Sequence, residues 1–164
     1  VLSISPHLLQ DSLFPLIAKN LHKLQELSLP GWRTRSESLE EEQESEEEVA
    51  ENFRLLARNL RNLFRLNLRR NPWGRVAVFA LSGFPSLAEL DVSYALRESD
   101  LAGRVHRIRS QSLEVLWVRG LAAATRGGST RLRMGAKSDP GGAAAELLKR
   151  DLAENCPRLR RVYA

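Results

Sequence analysis

One six-residue pattern recurs along this chain: leucine, two residues, an aliphatic, one residue, an aliphatic. It reads LQELSL at Leu24–Leu29, LFRLNL at Leu63–Leu68, LAELDV at Leu87–Val92 and LEVLWV at Leu113–Val118. LRRV at Leu159–Val162 is a shortened copy, and VLSI at Val1–Ile4 reads as the tail of another. Measured between last aliphatics, the spacings are 25 (Ile4 to Leu29), 39 (Leu29 to Leu68), 24 (to Val92), 26 (to Val118) and 44 (to Val162). The regular period is therefore 24 to 26. The two long gaps read as one period plus insertions of about 13 and about 18 residues. A single copy of such a pattern is common by chance in leucine-rich helices, whereas five phased copies are not.

The segments before each copy repeat too. Asn20-Leu-His-Lys-Leu24 matches Asn59-Leu-Arg-Asn-Leu63 and Asn155-Cys-Pro-Arg-Leu159, Gly83-Phe-Pro-Ser-Leu87 is a weaker copy, and the lead-in to Leu113 is irregular. Upstream of each lies a stretch with apolar residues at helical intervals: LLQDSLFPLIAKNL, NFRLLARNL, RVAVFALSGF, LAGRVHRIR and AAAELLKRDLAEN. Pro15 is expected to end or kink the opening turn of the first. Ser-Leu-Pro-Gly and Asn-Pro-Trp-Gly follow two of the copies directly, and these turn signals oppose an all-helical bundle. A strand-turn-helix unit cannot bury both its strand and its helix alone, so neighbours must stack and close a core between a parallel sheet and a row of helices. The period lies within the ~20 to 29 residues of leucine-rich repeats. The expected fold is thus an α/β leucine-rich-repeat solenoid, with the sheet on the concave side and helices on the convex side. One domain over 1–164 is expected, with an acidic insertion at approximately 33–50 and a Gly-rich basic one at approximately 120–140. The chain starts at Val1 and stops at Ala164 inside a strand-like segment, so a fragment cut at both ends is expected.

NCPRLRRV at Asn155–Val162 resembles the cysteine-containing leucine-rich repeat of F-box substrate receptors and their relatives, and LFRLNLRRN at Leu63–Asn71 matches the general repeat consensus including its terminal Asn. The resemblance covers most of the chain outside roughly 33–50 and 120–140. It implies a curved scaffold whose concave face binds another protein, in the setting of a ubiquitin ligase. Only one repeat carries the Cys and no F-box segment is visible.

Bulk properties narrow the function classes. The chain is 43% hydrophobic and 27% charged, which allows a packed core. Its net charge is +5, yet residues 37–51 hold nine Glu and no Lys or Arg, so the remainder carries +14. One basic body and one acidic segment follow. That basic body makes anion or RNA binding the alternative to protein recognition. Cys156 is the sole cysteine, which excludes an internal disulfide and fits a reducing, intracellular compartment, cytoplasm or nucleus. No apolar run approaches the ~18 to 20 residues that span a bilayer, so no membrane contact is expected. No signal peptide is read at the N-terminus, where polar residues break the apolar segment.

Residues alternating with the inward strand aliphatics should face outward. They are Glu26, Ser28 and Pro30; Arg65, Asn67 and Arg69; Glu89, Asp91 and Ser93; Val115, Trp117 and Arg119; Arg161 and Tyr163. Trp and Arg are enriched at binding hot spots. The candidate partner-binding set is therefore Arg65, Asn67, Arg69, Glu89, Asp91, Trp117 and Arg119, with the two acids as a counterpoint to the cations.

Other motifs carry less. Ser38 and Ser45 each have a Glu three residues on and are candidate phosphorylation sites for acid-directed kinases. The Gly-rich segment after Gly120 is no phosphate loop, because Ala136 separates Gly135 from Lys137. His7, His22 and His106 are scattered and give no metal spacing with Cys156, which reads as a buried small apolar residue. Neither catalysis nor a cofactor nor a metal is expected.

Overall fold

Among the described residues, six short strands carry the repeated pattern: β1 (Leu2–Ser3), β2 (Glu26–Ser28), β3 (Arg65–Asn67), β4 (Glu89–Asp91), β5 (Val115–Trp117) and β6 (Arg161–Tyr163). They form one all-parallel sheet in chain order. The computed structural model describes residues 1–4, 13–31, 46–71, 73–96, 105–120, 146 and 148–163.

Strand register follows the inward leucine. Leu2, Leu27, Leu66, Leu90, Leu116 and Val162 stand side by side across the sheet. The register corrects one spacing. Val162 aligns with Leu116, not with Val118, so the last gap is 46 residues and the insertion within it about 20. The reason is the period of two along a strand: counting from the wrong inward aliphatic shifts the repeat by two residues and keeps every side chain on its face.

Helices precede β2 and β3: α1 (Leu13–Asn20) and α2 (Glu46–Asn59), followed after β3 by the short α3 (Gly74–Ala77). Residues 148–152 are also helical. Pro15 lies in the first turn of α1, where a missing N–H costs nothing, so the helix begins before it. The helix-like segment 75–84 is shorter than its periodicity suggests. After α3 the chain turns through Leu81–Gly83 as a 3-10 turn, with Gly83 and Pro85 opposing continuation. Val105–Arg107 is likewise a 3-10 turn.

The helix before β3 begins earlier than its apolar periodicity suggests. Residues 46–51, the last part of the acidic run, belong to α2. Glutamates suit a helix start, because their charge opposes the positive end of the helix dipole. The rest of the acidic insertion, with Ser38 and Ser45, and the second insertion beyond Gly120 lie outside the described residues.

The core lies between the sheet and these connections. Leu27, Leu29, Leu66, Leu68, Leu90, Val92, Leu116 and Val118 from the sheet meet Ile17, Phe53, Leu56, Val78 and Leu152 from the other side. α1 packs on α2, and α2 on α3. The lead-in asparagines have a defined task. Asn20 Nδ2 donates to the Leu16 carbonyl (2.8 Å) and Asn59 Nδ2 to that of Leu55 (2.9 Å), each folding back onto the last turn of its own helix. The irregular lead-in uses serines instead, bonded to its own backbone and to the preceding repeat. Ser110 Oγ accepts from the N–H of Leu113 at 3.1 Å, and Ser112 Oγ donates to the carbonyls of Leu87 and Phe84. Cys156 is buried at the place held by Leu60 and Phe84 in other repeats, three residues before the leading leucine. Burial pushes its thiol pKa up, against a hydrogen bond at the Ser110 backbone.

Candidate functional site

Among the described residues, the sheet has one covered face and one open one. The side chains at the outward register positions are partly or fully exposed, as the alternation requires.

Two rows cross this face. The first is Glu26, Arg65, Glu89, Val115 and Arg161. Here Arg65 Nε lies 2.6 Å from Glu89 Oε2, and its guanidinium is 3.8 Å from Glu26. Arg65, expected from sequence as an anchor, and Glu89, expected as its acidic counterpoint, are one ion pair with Glu26 beside it. The bond to Glu89 raises the Arg65 pKa, against desolvation, with the charges of Glu89 and Glu26 adding to it.

The second row is Ser28, Asn67, Asp91, Trp117 and Tyr163. Asn67 Nδ2 donates to Ser28 Oγ at 3.1 Å, while its Oδ1 accepts from the N–H of Arg69. Asp91 Oδ1 accepts from the N–H of Ser93 in the same way, 2.8 Å. Both side chains therefore close the turn that ends their strand, a local bond for which Asn and Asp are suited. Next along the row, Trp117 and Tyr163 stack with centroids 5.5 Å apart and planes 12° from parallel. Tyr163 was placed on this face by alternation but not among the site residues. The signal was available: it is one repeat on from Trp117.

Beyond the strands the outward residues diverge. Ser93 is 2% exposed and is not a surface position; its Oγ accepts from the Arg119 N–H and its carbonyl from that of Arg70. The Arg69 guanidinium lies 5.5 Å from the centre of the Tyr94 ring, and that of Arg70 also 5.5 Å. Arg119 is exposed on the neighbouring repeat, and its carbonyl accepts from the Tyr94 N–H at 2.7 Å. Arg70 and Tyr94 lie one residue beyond the outward positions that strand alternation names.

They share a position. Gly31, Arg70, Tyr94 and Gly120 each sit two residues after that aliphatic. Arg70 (φ 59), Tyr94 (φ 60) and Gly120 (φ 92) take left-handed backbone. Gly31 is needed for a different reason: a Cβ there would overlap the Arg70 carbonyl.

Among the described residues, no group of three or more His, Cys, Asp or Glu could hold a metal ion. Among them too, no helix is long and apolar enough to cross a membrane. No family model matches the chain, and no curated protein matches it.

Proposed function

We propose that this chain is a leucine-rich-repeat solenoid, a non-catalytic scaffold whose open, concave sheet face recognises another protein, as the repeat region of a ubiquitin-ligase substrate receptor would. The observation that carries the reading is the stacked Trp117–Tyr163 pair on the open face. A large aromatic pair facing outward offers rigid apolar area at small entropic cost, the character of a binding hot spot. The phased register and the helical connections on the covered face support the repeat reading.

Anion or RNA binding through the basic body has less in its favour on this face. Glu26, Glu89 and Asp91 occupy neighbouring register positions there and oppose a phosphate backbone lying across the sheet.

Affinity capture from nuclease-treated cell lysate in high salt tests the proposal. Wild-type protein should retain a discrete set of proteins. Trp117→Ala should lose that set by about thirtyfold, the size expected at a hot spot, while Arg61→Gln keeps it. Capture that vanishes with nuclease or salt, or that ignores Trp117, would overturn the reading.

A further inference from the structure

The corner formed by Arg69, Arg70, Tyr94 and Arg119 is built in a costly way. Left-handed backbone is cheap for glycine and strained for other residues. Gly120 meets that requirement at its own repeat, but Arg70 and Tyr94 do not. At both strained positions the side chain is what the strain retains. The same side chains meet: two guanidinium groups lie 5.5 Å from one tyrosine ring. Gly120 makes room for that ring, since a Cβ there would come within 2.6 Å of Tyr94 Cδ1.

Arg65 is neutralised by Glu89 and flanked by Glu26. Among the described residues, Arg69, Arg70 and Arg119 have no carboxylate within ion-pair distance. Cations without a carboxylate beside them favour a bound anion, and the Tyr94 ring lies 5.5 Å from two of these guanidinium groups.

We propose that this corner binds a carboxylate-rich segment of a partner protein. Planar guanidinium groups pair with carboxylates through two parallel hydrogen bonds, which suits Glu and Asp side chains. A short acidic segment can contact the corner alone. A nucleic-acid strand continuing along the sheet would meet Asp91 and Glu89, which begin about 7 Å away along the strands. The inference deepens the reading of the open face as a protein-recognition surface. It adds a second contact chemistry beside the aromatic pair.

The test is fluorescence anisotropy with a short fluorescein-labelled Glu-rich peptide, its Gln counterpart and a single-stranded RNA, all at one moderate salt. The Glu peptide should bind and the Gln peptide should not. Arg69→Gln with Arg70→Gly should weaken binding about tenfold, the scale of lost charge-assisted pairs. Tyr94→Gly should weaken it about threefold while thermal stability stays level or rises, because the left-handed strain is relieved. That combination separates a binding role from a structural one. Arg61→Gln with Arg158→Gln, two exposed arginines elsewhere, should change affinity less than about twofold.

Equal weakening by the control pair would overturn the proposal in favour of a diffuse basic field. So would RNA binding tighter than the peptide through the same arginines. A chain with Glu37, Glu40, Glu41, Glu42 and Glu44 changed to Gln completes the set. Peptide binding seen only in that variant would give the corner to the chain's own acidic segment and overturn the partner assignment. Because the peptide probe does not require Trp117, failure here leaves the Trp117 capture test standing.

Discussion

The two halves of the open face use their side chains differently. Over β2 to β4, Glu26, Arg65 and Glu89 neutralise one another, and Ser28, Asn67 and Asp91 bond to neighbours and to their own turns. Over β5 and β6, Trp117 and Tyr163 stack on each other and stay partly exposed. The lesson is that exposure alone does not mark a binding residue. An exposed arginine with its charge already answered offers little to a partner, whereas a stacked aromatic pair offers its remaining area at full value.

Three measurements sharpen or break this contrast. The largest effect should come from beneath the charged half. Leu66 is fully buried, whereas Val162 at the other end is only partly so. Leu66→Ala should cost about 2 to 5 kcal/mol in urea unfolding, and Val162→Ala distinctly less. Equal losses would mean that the two halves share one uniform core.

Next comes the coupling on the open face itself. A double-mutant cycle on Trp117 and Tyr163 should return about 0.5 to 1.5 kcal/mol, insensitive to salt. The cycle on Arg65 and Glu89 should return about 0.2 to 1 kcal/mol and shrink as salt rises. A salt-insensitive Arg65–Glu89 coupling would break the distinction between the halves.

The smallest effect concerns pH. The Cys156 thiol, near the aromatic half, has its pKa raised by burial. The folded state therefore holds the proton longer than the unfolded state. Its contribution to stability is complete below about pH 8.5, the ordinary thiol value, and is lost as pH rises through the folded value. Urea unfolding of wild-type protein should show a decline above that pH that Cys156→Ala lacks. Parallel curves for the two proteins would show that Cys156 does not set it.

Much of this architecture was legible because inward and outward positions alternate strictly. Leu27, Leu66, Leu90 and Leu116 declare the sheet and its order, and every outward residue except Ser93 could be named from them. Three things were hidden. Whether outward neighbours pair, as Arg65 and Glu89 do, depends on lateral register and reach rather than on residue type. Helix length in a tight connection depends on how few residues bridge two strands, so the 75–84 periodicity overstated α3. Ser93 is buried because bonds from neighbouring repeats converge on it, which no single repeat reveals.

The position two residues after the last aliphatic of each copy has a consequence for how this chain can vary. Both long insertions follow it directly, one after Gly31 and the other after Gly120. The inward leucines that set register all lie upstream of that point in their repeats. Extra residues entering there change what the molecule displays without renumbering what it aligns. A repeat of this kind has a built-in site for growth, at which new sequence can be acquired, lost or grafted while the strands on either side keep their partners.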